Sequence, residues 1–170
     1  MPALEAMGHG TRSYLELPAG VEPASERELP SGASVVREYS REPELFRSLY
    51  RDVGAPYAWV DRLPWTDDQW RDYVSKPDVE MWLLFVGGTR AGYFELAVEP
   101  DGNTVQIAYF GLLPAFVGRG LGGALLTSAI RAARARGDVR VWLHTQTADH
   151  PHALANYRSR GFRVFRTEPA

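Results

Sequence analysis

The chain has no cysteine in its 170 residues. Disulfides, thiolate nucleophiles and cysteine-based zinc sites are thereby excluded. Long hydrophobic runs are missing too. The longest strongly apolar stretch, Met81–Val86, is far too short to span a bilayer. Basic excess is also absent: the formal net charge is -2. A nucleic-acid binder usually carries a basic face, so no nucleic-acid partner is expected. The first residues, "MPALEAMGHGTR", contain no basic segment followed by an apolar one. No signal peptide or membrane partner is expected, and a soluble cytoplasmic protein is the default.

What is present suits a single folded domain. The sequence is 45% hydrophobic and 24% charged, a balance that can bury a core. "RSYLELPAG" alternates like a strand, and "VEPASERELPSGAS" reads as an exposed loop. "SVVREYS" is a second strand candidate. Leu45, Phe46, Leu49, Tyr50 and Val53 follow at helical spacing, with Gly54 as a stop. A second helix opens at Thr66, an N-cap followed by two acids. "EMWLLFV", "TRAGYFELAVE" and "TVQIAYFGLL" are then β-rich runs separated by Gly87-Gly88 and by Pro100–Asn103. Those turns predict an antiparallel meander. The rest reads as helix from Gly120 to Arg136, strand, short helix starting at Asp149 or His150 and stopping at Gly161, and a last strand.

The stretch "FVGRGLGGALL", residues 116–126, places four glycines between a strand and a helix. Uncapped N–H groups and the helix dipole make such a junction an anion site, and glycines let a phosphate reach the backbone. Close helix packing would explain one or two of the four. Gly118-x-Gly120-x-x-Gly123 formally matches a dinucleotide fingerprint, with Asp138 beyond it for a ribose contact. That fingerprint should open a parallel βαβ sheet, whereas a meander precedes it here. A nicotinamide-dependent oxidoreductase is therefore a remote alternative. Arg131, Arg134, Arg136 and Arg140 fall close behind. They form either a solvated helix face or a local attraction for an anionic ligand.

"YFGLLPAFVGRGLGGALL" resembles the acyl-CoA pyrophosphate loop of the GNAT superfamily of N-acyltransferases. That pattern is Gln or Arg, two residues, Gly, one residue, then Gly or Ala. Val117 takes the first position, Gly120 and Gly122 the glycine positions. Val117 removes a side-chain contact and leaves the backbone cradle intact. "DHPHALANYRSRGF" resembles the later stretch in which a helical tyrosine precedes Gly-Phe, which places Tyr157 before Gly161 and Phe162. The resemblance covers residues 33–167 and sets residues 1–32 apart as an N-terminal strand and irregular extension before a GNAT-like domain at 33–170. It implies an α/β (α+β) fold: a mixed, mainly antiparallel central sheet flanked by helices.

The resemblance also implies roles. The strand "IAYFGLL" would diverge from "VRVWLHT" and open a slot for pantetheine along Phe110, Leu112 and Leu113, with the Leu112 N–H facing the thioester carbonyl. Val117, Gly118, Gly120, Leu121, Gly122 and Gly123 would hold the pyrophosphate, and Arg119 would add a charge-assisted contact. Tyr157 would protonate the departing thiolate, and Asn156 would touch pantetheine. For the base, Glu95, His144 and Tyr109 through water remain open; neutral imidazole suits the task. The segment "APYAWVDRLPWTDDQW" supplies Trp59, Asp61, Arg62, Trp65 and Trp70, which with Tyr109 would bind the acceptor. The alternative for these aromatics is plain packing. His144, His150 and His152 complete no familiar metal set, so no metal is expected. The implied activity is direct transfer of an acetyl or other acyl group from acyl-CoA to an amine of a small molecule or peptide. An acyl carrier protein as donor, a non-catalytic CoA binder and a homodimer stay open.

Overall fold

The computed structural model describes residues 10–170; residues 1–9 of the expected N-terminal extension lie outside it. The order is β1 (Thr11–Leu17), β2 (Ala33–Glu38), α1 (Pro43–Gly54), α2 (Asp67–Val74), β3 (Val79–Val86), β4 (Thr89–Val98), β5 (Thr104–Leu112), α3 (Gly122–Arg134), β6 (Arg140–Gln146), α4 (Ala153–Ser159) and β7 (Arg163–Pro169). The strands form one seven-stranded sheet in the order β2-β3-β4-β5-β6-β1-β7. Only β5 and β6 run parallel; every other neighbouring pair is antiparallel. The expected meander is β3-β4-β5.

Alternation along the strands divides the core in two. On β4, Phe94 and Leu96 face a cluster filled by Leu125, Leu126, Ala129 and Ile130 of α3. Tyr93 faces the other way, into a cluster with Phe46, Leu49, Tyr50 and Val53 of α1 and Trp70 and Val74 of α2. α1 forms because its apolar residues recur at helical spacing and Pro43 sits at its first turn, where a missing N–H costs nothing. α2 starts at a capping box: Thr66 Oγ1 accepts from the Gln69 N–H, and Gln69 Oε1 accepts from the Thr66 N–H.

α1 ends at Gly54 as expected; its φ there is -85°, and a 3-10 turn, Ala55–Tyr57, follows. Glycine is required there because a Cβ would lie 2.5 Å from Trp59. One boundary differs from expectation. α4 starts at Ala153, not at Asp149 or His150. Asp149 is already committed: Oδ2 accepts from Thr145 Oγ1 (2.6 Å) and from the Gln146 N–H (2.9 Å).

β1 lies between β6 and β7 and buries Leu15 and Leu17 completely. Residues 11–17 thus belong to the same sheet as residues 33–170. After β1 the chain crosses α3 and α4 as an irregular strap, residues 18–32. Arg134 donates to the Pro18 and Val21 carbonyls, the Arg27 N–H donates to Thr127 Oγ1, and Ser25 Oγ donates to the Ser159 carbonyl.

Candidate active site

The parallel pairing of β5 with β6 covers only Thr104–Gln106 against Arg140–Trp142. Beyond that point no pairing holds the two strands together. A one-residue bulge in β5 helps to re-aim it: Glu95 pairs with Tyr109 and Leu96 with Ile107, leaving Ala108 extra. The resulting slot opens into a cavity of about 440 Å³. Its floor comes from both strands, through Ile107–Leu112 on one side and Leu143 and His144 on the other. One end is closed by the start of α3 and by α4. The other end runs toward Tyr50, Tyr57, Trp59 and Asp61.

At the α3 end the glycines divide by purpose. Gly118 (φ 82°) and Gly120 (φ 74°) have open space where a Cβ would stand. They are there because the loop turns left-handed twice. At Gly123 a Cβ would lie 2.5 Å from Arg160 Nη1 and 2.7 Å from Arg27 Cδ. That glycine makes room for two arginines. α3 begins without a side-chain cap, so its first N–H groups have no side-chain acceptor and leave a partial positive charge at the cavity wall. Val117, Gly118, Gly120, Leu121, Gly122 and Gly123 all line the cavity. Arg119 does not; its guanidinium lies over the Phe116 ring at 4.9 Å.

Sequence reasoning had no signal for Arg27 or Arg160, both of which line the cavity. Arg160 is only 4% exposed. Burial and the neighbouring Arg27 hold its pKa below the usual arginine value. The four arginines that the sequence brings together turn elsewhere. Arg131 pairs with Glu28 and Glu26, Arg136 with Glu80 and Arg140 with Glu16, while Arg134 is spent on carbonyls of the strap. They fasten the fold and do not gather at the cavity.

In the middle of the cavity stand Phe110, Leu112, Asn156, Tyr157, His144 and Tyr109. Tyr157 is buried against Phe110 and Phe162, with ring centroids 6.2 and 6.3 Å away. Burial raises its phenol pKa well above the ordinary value, and Asp149 adds to the shift. It therefore stays protonated at neutral pH. Burial lowers the His144 pKa, with the Arg12 cation acting in the same direction, so the ring is neutral at neutral pH. Leu113 is turned away from the cavity and packs in the α1–α2 cluster.

The acceptor segment splits in two. Trp59, Asp61 and Tyr109 line the cavity. Trp59 Nε1 donates to Asp149 Oδ1 (3.2 Å), and its ring lies 5.0 Å from Tyr109. Arg62, Trp65 and Trp70 do not line it. Arg62 is 6% exposed and Glu95 1% exposed. Arg62 Nη1 donates to both Glu95 carboxylate oxygens, at 2.9 and 3.2 Å. Its guanidinium is boxed by Tyr73 (4.1 Å), Tyr109 (4.2 Å) and Trp65 (4.7 Å). Burial penalises that cation, but Glu95 and the surrounding tyrosines outweigh it and hold the pKa above the usual range. The acceptor contact expected of Arg62, and the base role expected of Glu95, do not fit a sealed ion pair with no face on the cavity.

Known proteins match this arrangement. The family model for the Acetyltransferase (GNAT) family matches residues 42–162, and the chain belongs to that family. A histone acetyltransferase type B catalytic subunit from Mycosarcoma maydis is 33% identical over 103 residues, which is 61% of this chain and 22% of that protein. Among solved structures, a GCN5-related N-acetyltransferase from Sphaerobacter thermophilus superposes with a TM-score of 0.72 at 18% identity, over 93% of this chain and 49% of that one. An N-acetyltransferase from Thermoplasma acidophilum in complex with coenzyme A gives 0.61 at 16% identity, over 78% and 90%. The chain thus spans about a fifth of its curated relative and half of the first structure. Among the described residues no helix is long and apolar enough to cross a membrane.

Proposed function

We propose that the chain transfers an acyl group, acetyl in the simplest case, from acyl-CoA to an amine of a small molecule or peptide within a ternary complex. The observation that carries this is one continuous slot. It runs from the uncapped start of α3, past Tyr157, to His144, Tyr109 and Trp59. Pantetheine occupies the gap between β5 and β6 along Phe110 and Leu112, with its diphosphate on residues 117–123. The amine enters from the Trp59–Asp61 end. Neutral His144 takes a proton from the amine as its nitrogen attacks the thioester carbonyl carbon. The Leu112 N–H holds the developing oxyanion. The carbon–sulfur bond then breaks, and Tyr157 gives its proton to the thiolate. No side chain carries the acyl group, so no acyl-enzyme forms.

The first test is thermal unfolding with acetyl-CoA, CoA, NAD and ATP at matched excess. A ligand held only by the folded chain adds about 2.7 kcal/mol at a hundredfold excess over its dissociation constant. A rise with both CoA species and none with NAD or ATP supports the reading and justifies an amine screen followed by thiol release. No rise with either CoA species, or an acyl-enzyme that accumulates without amine, overturns it.

A further inference from the structure

We propose that Arg160 and Arg27 form a two-arginine clamp on the donor's diphosphate, and that the clamp selects a free CoA thioester over a carrier protein's phosphopantetheine arm. The inference rests on the acyl-CoA reading above. Arg160 follows α4 directly and reaches back to the first turn of α3, where its Nη1 stands against Gly123. It is 96% buried, and neither Nε nor Nη1 has a hydrogen-bond partner among the described residues. A buried guanidinium without an acceptor is costly and rare. Arg160 lines the cavity beside the uncapped N–H groups of α3, so the missing acceptor is an anion in that cavity.

The strap brings the second cation. Its backbone is tied to α3 through the Arg27 N–H and Thr127 Oγ1 at 3.0 Å. The acids on either side, Glu26 and Glu28, are both turned to Arg131. Arg27 is left on the cavity side, with its Cδ against the same Gly123. Two guanidinium groups and a helix N-terminus therefore converge on one wall. A diphosphate brings two negative charges and several acceptor oxygens to that wall. A phosphopantetheine diester brings one charge. The loop itself offers no side-chain donor to the cavity, because Val117 is apolar and Arg119 lies over Phe116. The clamp supplies what the loop lacks.

Calorimetric titration of the full chain decides this. The ligands are CoA, 3′-dephospho-CoA, the methyl phosphodiester of phosphopantetheine and inorganic diphosphate, and the proteins are wild type, Arg160→Gln and Arg27→Ala. Each lost charge-assisted contact is expected to weaken CoA, dephospho-CoA and inorganic diphosphate about ten- to hundredfold. The wild-type preference for CoA over the phosphopantetheine diester shrinks in both variants. Arg27 is exposed, so its variant keeps the test valid if Arg160→Gln folds poorly. CoA binding that is equal in wild type and both variants overturns the clamp and leaves the acyl-CoA reading standing. Arginine-dependent diphosphate binding without CoA binding leaves the two arginines as a diphosphate site, but overturns the acyl-CoA reading and with it the selection of a CoA thioester. If dephospho-CoA binds independently of the arginines while CoA does not, they hold the 3′-phosphate and the diphosphate assignment falls. If wild type binds none of the four, both readings fall.

Discussion

Two buried arginines, Arg62 and Arg160, are almost equally hidden from water, at 6% and 4% exposure. Their surroundings are opposite. Arg62 has Glu95 at 2.9 Å and a box of tyrosine and tryptophan rings. Arg160 has Arg27 nearby and two nitrogens without partners among the described residues. The protein answers the first charge internally and leaves the second unanswered. Burial alone therefore does not separate a structural ion from a binding ion; the presence of an acceptor does. Arg62 lies off the cavity, and Arg160 lies on it.

Breaking the internal answer is expected to have the largest effect. Glu95→Ala strands a cation inside the α1–α2 side of the molecule. Removing one partner of a buried pair typically costs about 3–5 kcal/mol. Denaturant unfolding should show that loss, and the double variant Arg62→Met/Glu95→Leu should recover most of it. If Glu95→Ala keeps wild-type stability but loses activity, Glu95 is a working base and the structural assignment of the pair is wrong.

His144 tests the boundary between the two kinds of buried charge. It is a titratable group on the cavity whose charged form burial and Arg12 both oppose. In the proposed mechanism the neutral ring is the base, so protonation would remove activity. A lowered pKa keeps the ring neutral further into acid. The acid limb of kcat/KM is therefore expected below 6.5, the ordinary histidine value, and Arg12→Ala should move it upward. His144→Gln should lower turnover roughly a hundredfold or more with CoA binding unchanged. An acid limb above the ordinary value contradicts this assignment.

The unanswered charge should give a smaller change with a reversed sign. Replacing Arg160 with Met removes a cation that has no partner in the ligand-free chain. Ligand-free stability is expected to rise by about 1 kcal/mol, the low end for replacing buried ionic groups by apolar ones. The same variant should gain less from added CoA than wild type does. A ligand-free loss of several kcal/mol means that Arg160 is structural after all.

The contrast between these arginines is not legible in the sequence. Period and turn chemistry reveal α1, the Thr66 cap, the β3–β5 meander and the glycine-rich loop before α3, because each depends on neighbours within a few residues. The position of β1 inside the sheet depends on strands more than a hundred residues away. Partner choice is equally remote. "WVDRLPW" shows aromatics beside a charge, but only the fold shows that Trp59 faces the cavity while Arg62 turns to Glu95 on β4. The arginine-rich run 131–140 attracts attention as an anion site, yet its members are spent on Glu26, Glu28, Glu80, Glu16 and the strap. The two arginines at the cavity stand 133 positions apart in the chain, on a loop and after a helix, where no spacing rule joins them.

The smallest expected effect concerns how the strap presents Arg27. Arg131 pairs with Glu28 and Glu26 on the protein surface, in water that screens the attraction and limits what such a pair contributes to stability. Arg131→Ala should leave the unfolding midpoint almost unchanged. Its consequence is local: Glu26 and Glu28 lose their partner and stand free beside Arg27, lowering the positive potential at the diphosphate wall. CoA affinity should therefore fall, by less than in Arg27→Ala, and the difference from wild type should shrink in high salt as screening lengths shorten. An affinity loss that salt does not reduce would instead mean that the strap has moved, and protection of the Arg27 N–H from hydrogen exchange would fall with it. The salt series thus separates a pair that tunes the field around the clamp from one that holds it in place.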